Sequence, residues 1–598
     1  MQFRGVRLIA AGVLASASSA GAQEAGNKII SAPQPPPVQM VVAPPAPPSV
    51  LRADSIEDET ARWGATPVQA PPPATLDKKI LKQLRREQEQ NRQACIKGGA
   101  LKSWMAKSIL AACDKLLAQA PPADAAGYYR AQILQRRALS LTILGGNRLA
   151  IAALDESDRL GAAANDGFFK LGIGVGNDLL RAQALRQLGK TDEAIALLGK
   201  VRAARPYASS IVEAADRLEN VITPGPANLR RLSEARIPID PEMLRVLFLI
   251  DLVEGRLEDA AQSGDQISLR EPKMRGGWAI IGGPDEFETL DRQVVFGSLR
   301  AYVAAALGNR SKADALFAES RAAITDYAGP DPRSLDRRAA EWKVNQYLAR
   351  VKQGEEAGKS IALAETLIAL RQDRGALTIE GIEKKAEEMD KAPLVLPILV
   401  ELMRQVEGRQ AREAKATADM ATRQMLAGLG MVDPGELAAL LPKPESLDLV
   451  PKFGSSPSML WFGGGPGWSQ SKEGDGNIRT VRYETDFGSK AMMEEMLLLA
   501  SAHLARQEGK DGFLVLASRS FARQTTMVSY WGGSSTYDSG FEAQARIQLV
   551  DTANLPPELA GQKGRIITAA QIERDLQPRY QSYFAERAAI KEAKKKAR

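Results

Sequence analysis

The chain has 598 residues, 44% hydrophobic and 25% charged, which is polypeptide for roughly four ordinary domains. One histidine and two cysteines leave little for site chemistry: a zinc site built from His and Cys alone has at most three ligands, and a His-dependent triad has one candidate base. The net charge is +7, but Arg4, Arg7 and residues 586–598, which hold six basic against two acidic groups, account for most of it; the remainder, near +1, argues against a nucleic-acid-binding core.

The first 22 residues have the layout of a cleavable export signal. Arg4 and Arg7 form a positive start, Leu8 to Ala17 an apolar stretch, and Ala20-Gly21-Ala22 a small-x-small cleavage site. The apolar stretch is shorter than the roughly 20 residues a bilayer span needs. The next most apolar run, Leu394 to Met403, is interrupted by Pro397 and Glu401. The expectation is a soluble, exported protein beginning near Gln23. Residues 23–74 read as a linker: twelve of the 34 prolines fall between Pro33 and Pro73. Such a segment favours extended polyproline II over a hydrogen-bonded core.

From Thr75 to residue 446 helix formers dominate and apolar residues recur three and four apart. A fading internal repeat runs through this region. Gly145, Gly189, Gly255 and Gly308 are each followed five residues later by alanine, at Ala150, Ala194, Ala260 and Ala313. Seven residues before each glycine stand Ala138, Ala182, Phe248 and Ala301, and Pro206 and Pro272 close two units. Glycine takes the left-handed conformation that ends a first helix. The small residues let a second helix lie close to it, and proline stops that second helix.

The segment LRAQALRQLGKTDEAIALLGKVRAARP, with Ala182, Gly189, Ala194, Leu198 and Pro206, resembles a tetratricopeptide repeat. The glycines are spaced 44, 66 and 53 residues apart, whereas the family repeats at about 34, so the resemblance implies an irregular array with extra or lengthened helices. Cys95 and Cys113 precede the array and read, in an exported chain, as a disulfide between neighbouring helices. That opening is similar to many exported alphaproteobacterial tetratricopeptide proteins, which implies a periplasmic location.

Composition shifts near Leu447, after which lie 15 of the 32 aromatic residues. Strands are expected at 477–486, 512–518, 522–532 and 540–550, the last two as a hairpin across Gly533-Ser534-Ser535, with a helix over 491–507 between the first two. The pattern predicts a small α+β domain over 447–565 and a helical basic tail over 566–598. Tyr483, the helix LLLASAHLARQEG and the following GFLVLASRS resemble a domain of small alphaproteobacterial envelope proteins for which no activity is established. The resemblance implies an envelope location and no chemistry.

The motifs that suggest catalysis fail on context. Gly354–Ser360 is one residue short of a phosphate loop and follows a helical pattern. Ser469-Gln470-Ser471-Lys472 matches the serine–lysine pattern of penicillin-binding enzymes but sits in a Gly/Ser loop without the companion S-D-N and K-T-G motifs. Gly172–Gly176 is glycine-rich but falls between helices. His503 has no G-x-S-x-G serine to act on and is expected to be a partly buried structural residue. Asp/Glu pairs are too many for sequence to nominate two as glycosidase carboxylates. Trp461 and Trp468 bracket a glycine loop and are candidate partner contacts, either stacking on a sugar or anchoring a protein. The basic end KEAKKKAR suits an anionic membrane or polyanion.

The sequence therefore predicts a mainly α protein, an irregular tetratricopeptide-like helical repeat array followed by a small α+β domain. It points to a non-catalytic periplasmic scaffold that binds envelope proteins, with no cofactor, metal or nucleic acid. The alternatives are a glycan-binding envelope protein acting through its C-terminal domain and, third, a hydrolase.

Overall fold

The computed structural model describes residues 78–96, 103–119, 126–163, 167–267, 286–428, 467–528 and 534–580, apart from a few positions inside those ranges, together with Glu59, Leu437, Leu441 and Phe453. Residues 1–22, nearly all of residues 23–74, Trp461 and the basic end lie outside the described residues. The chain is mainly α, followed by a small antiparallel sheet.

The helices of the first half are α1 (Lys78–Ile96), α2 (Ala106–Leu117), α3 (Ala126–Leu144), α4 (Asn147–Ala163), α5 (Val175–Gln187), α6 (Thr191–Ala204) and α7 (Ser209–Ile222). The second half holds α8 (Pro226–Arg236), α9 (Met243–Glu254), α10 (Leu257–Gln266), α11 (Glu286–Ala306), α12 (Arg310–Ala328), α13 (Glu341–Gln372), α14 (Ile379–Glu388), α15 (Val395–Arg404) and α16 (Ala411–Gly428). The expected glycine joints are present at α3/α4, α5/α6, α9/α10 and α11/α12. Gly145, Gly189, Gly255 and Gly308 all have φ between 76° and 86°. At each joint the residue after the glycine donates its backbone N–H five residues back: Gly146 to Leu141, Lys190 to Leu185, Arg256 to Asp251 and Asn309 to Ala304. This closure satisfies carbonyls that a helix end leaves open. Ala150, Ala194 and Ala260 are fully buried beneath these joints, and Ala313 nearly so.

Pro206 follows α6 by two residues, as expected. Pro272 lies outside the described residues; α10 ends at Gln266, and Ile267 is extended. Two cores divide the array. One gathers α1 to α7, and the other gathers α8 to α16 around Phe248, Tyr302, Ile398 and Leu402. Cys95 and Cys113 are both buried, at disulfide distance, with Cα atoms 5.2 Å apart, and tie α1 to α2 at the open end of the first core. Reduction of this pair is expected to cost about 3 kcal/mol, the loop-closure entropy of its span, and to free α1 first. Thermal unfolding with and without reductant, with proteolysis near residue 96, checks this.

The sheet has strand order β1-β2-β4-β3-β5, every neighbour antiparallel: β1 (Gly467–Lys472), β2 (Ile478–Thr485), β3 (Gly512–Val528), β4 (Ser534–Val550) and β5 (Ile566–Thr568). Helix α17 (Lys490–Gln507), capped by the Ser489 side chain, covers one face. Three expectations are corrected. The strands foreseen at 512–518 and 522–532 are one strand, β3; polar Arg519 lies on the sheet's other face and marks no break. The Gly/Ser stretch around Ser469 is the edge strand β1, polar because four of its six residues are exposed. The domain does not end at 565: β5 completes the sheet, and helical residues 569–580 bury Ala569, Ile572, Leu576 and Tyr580 in its core. Beyond Phe541, among the described residues, β3 and β4 pair only with each other and leave the sheet as a two-stranded ribbon.

Candidate functional site at the junction of array and sheet

The sheet domain is docked on the first half of the array. The joint begins in the sequence before α5, where Lys170–Gly174 forms a π-helical turn. Its wider coil points Phe168 into the core under the sheet and sets Phe169 against Gly161, where a β-carbon would lie 2.1 Å from the ring. Two carbonyls of this turn take side-chain donors: Leu171 O accepts from Arg205 at 3.1 Å and Ile173 O from Gln135 at 2.9 Å.

Arg205 stands between the end of α6 and Pro206, so its side chain leaves the array where the helix stops. It forks onto Glu495 of α17, Nε to Oε1 at 3.1 Å and Nη2 to Oε2 at 2.9 Å, and both side chains are 0% exposed. Arg579 reaches the same carboxylate at 2.8 Å and Tyr580 donates to it. Burial pushes the Glu495 carboxyl up, but the two guanidiniums and these hydrogen bonds outweigh it, and the group stays below the ordinary carboxylate range. The adjacent Glu494 accepts from the Ser210 backbone N–H at 2.9 Å, from Ser210 Oγ at 2.8 Å and from Ser520 at 2.9 Å. Tyr207 donates to Asp575 at 2.5 Å; burial and that carboxylate push its hydroxyl up to about 12. Sequence reasoning missed all of these. The only legible sign was a pair of glutamates, Glu494 and Glu495, in an otherwise apolar helix.

On the sheet face opposite α17, the register sets Glu484 directly opposite Glu542. Here topology brings together two carboxylates that sequence could not nominate. Arg482 bridges them, 2.6 Å from Glu542 and 2.8 Å from Glu484, and Arg523 lies 3.3 Å from Glu484. Burial raises Glu484 despite the opposing arginines, and Glu542 adds to the rise. A guanidinium held between both acids makes this a charge-paired face.

The sites expected from sequence fall as follows. Trp468 is 8% exposed, opposite Tyr483 in β1, with its ring 5.8 Å from the His503 ring; it is a core residue, and the open ring expected of a partner contact is not there. Trp461 lies outside the described residues. His503 is on the exposed side of α17, contrary to the expected burial, 3.0 Å from Gln507 and edge-on to Trp468 and Phe453. Ser469 and Lys472 are exposed strand residues. Gly354–Ser360 lies inside the 32-residue helix α13, which gives no loop to wrap a phosphate. Gly172–Gly176 is itself helical, within the π turn and the start of α5. Glu401, which interrupts the apolar run of α15, is fully buried and bonded to Tyr302, Arg371 and Gln405.

Among the described residues, no cluster of three metal-binding side chains occurs and no helix is long and apolar enough to cross a membrane. No protein-family model, curated protein or solved structure matches this chain.

Proposed function

We propose that the chain is an exported, non-catalytic scaffold of the cell envelope that holds other proteins against its helical hairpins. The observation that supports this is the Arg205–Glu495–Arg579 contact, which fixes the array and the sheet domain to each other. A fixed composite surface loses less freedom on binding than two tethered parts, which favours a presenting role. The tetratricopeptide kinship, the export signal and the periplasmic location are drawn from the sequence features at Gly189–Pro206 and residues 1–22.

The test is crosslinking of the full chain in its own cells, followed by mass spectrometry. A few reproducible protein partners mapping to residues 125–330 are expected. Crosslinks confined to glycan or lipid on the last 150 residues would overturn the scaffold reading in favour of a glycan- or membrane-binding role.

A further inference from the structure

We propose that the projecting start of α13 is a contact for an anionic lipid surface, with Leu335, Trp342 and Leu348 entering the headgroup layer and Arg333, Arg338 and Lys343 meeting its charge. Helix α12 ends at Ala328, and its last turn lies against the middle of α13. Tyr327 donates its hydroxyl to Gln353 at 2.6 Å, and a β-carbon on Gly354 would lie 2.9 Å from Ile324. At 1.5 Å per residue, Trp342 stands on the order of 16 Å beyond that contact. Over residues 341–350 only Val344 is buried, and the one-turn helix Pro332–Leu335 packs beside this stretch.

Five large apolar side chains are exposed among the described residues, and three of them fall here: Leu335 at 75%, Trp342 at 63% and Leu348 at 49%. Single exposed apolar residues are ordinary, but a local group of them marks a contact. The charge around them is one-sided. Residues 331–352 hold six basic against three acidic groups, in a chain whose body is near +1. Arg333, Arg338 and Lys343 are exposed, and Lys343 Nζ lies 5.6 Å from the centre of the Trp342 ring. Two of the acids, Asp331 and Asp336, accept the backbone N–H groups of Arg333 and Arg338, each at 2.9 Å. The third, Glu341, is exposed at the helix start. The positive end of this 32-residue helix, without a side-chain cap at Ala340, adds to the same field.

An anionic bilayer answers both features. An indole settles at headgroup level, with its ring out of water and its N–H still solvated, and leucines beside it gain by leaving water. Basic side chains nearby gain from the negative surface potential. A projecting tip suits a flat, deformable surface, whereas an extended or helical peptide is held by a strand edge or a groove. The contact lies outside residues 125–330, where protein partners are expected, and is measured on the isolated protein, so it and the scaffold reading can fail separately.

The experiment is co-sedimentation of the purified full-length chain with vesicles of equal parts phosphatidylglycerol and phosphatidylcholine, and with vesicles of phosphatidylcholine alone. Binding to the anionic vesicles is expected, weakened at least about tenfold in a Leu335→Ser, Trp342→Ser double variant and at least about threefold in Lys343→Glu. Trp104→Ser, which removes another exposed indole, should leave it unchanged. All these positions are exposed, so the variants should keep the wild-type unfolding midpoint. Equal affinity for the two vesicle types, or equal binding by wild type and the double variant, overturns the contact; the second result assigns binding to the basic end of the chain. Absence of vesicle binding also overturns it, and a wild-type dimer lost in the double variant would then give the patch to a second copy of the chain.

Discussion

Replacing Arg205 by alanine is expected to cost about 3–5 kcal/mol and to loosen the sheet domain from the array. The substitution leaves Glu495 fully buried with Arg579 and Tyr580 alone, and it strips a donor from the Leu171 carbonyl in the π turn. Removing one member of a buried pair costs more than the pair contributes, because the remaining charge stays desolvated. Urea titration of Arg205→Ala checks the magnitude, and limited proteolysis between residues 441 and 467 checks the loosening. A midpoint equal to wild type would sink the claim that this contact fastens the domain.

The same joint should respond to acid. The folded Glu495 carboxyl titrates below its ordinary value of 4.5, so its contribution is present above that value in full. It is lost as pH falls through the lower folded value. Stability is therefore expected to drop below about pH 4.5, and Glu495→Gln should flatten that limb while lowering stability at neutral pH. An acid limb identical in wild type and Glu495→Gln would assign it to other carboxylates.

Gly540→Ala is expected to cost about 3 kcal/mol or more, combining strain at a left-handed backbone with a steric clash. Gly540 has φ 109°, and a β-carbon there would lie 1.9 Å from the Thr485 carbonyl oxygen and 2.6 Å from Asp486 Cα. Both are backbone atoms and cannot swing aside. The position is where β4 passes from the ribbon into the sheet, next to the register shift at Arg523/Gln524. Gly308→Ala supplies the control: its φ is 81° but nothing lies within 4 Å, so only the conformational cost of about 1–2 kcal/mol remains. Equal losses in the two variants, read from denaturation midpoints, would show that the close approach at Gly540 carries no cost of its own.

The helical hairpins were legible because their signals are local. A glycine at a helix end, an alanine five residues on and the hydrogen bond that closes the joint are all close in the chain, as at Gly189, Ala194 and Lys190. The disulfide partners were equally plain, since the chain has two cysteines. Helix α17 and strands β2 and β4 followed from periodicity within one residue at most ends, although β4 starts earlier than expected.

Strand β1 and the middle of β3 were misread for one reason. Period-two reasoning expects apolar residues to mark a strand, but an edge strand with exposed side chains and a strand whose second face carries Arg519 have few of them. Trp468 and His503 exchanged their expected roles because exposure depends on what is packed alongside. The indole lies beneath β1, opposite Tyr483, while the imidazole occupies the outer side of α17.

By itself, then, the sequence determined the class of the fold, the positions of the four glycine joints and the pairing of Cys95 with Cys113, all consequences of residues close in the chain or few in number. Tertiary structure alone decided that Arg205 meets Glu495 across 290 residues and that Glu484 faces Glu542. Arginine and glutamate are abundant and carry no periodic signal of their own. Which of them are buried together is fixed only when the sheet domain closes on the array and removes their water.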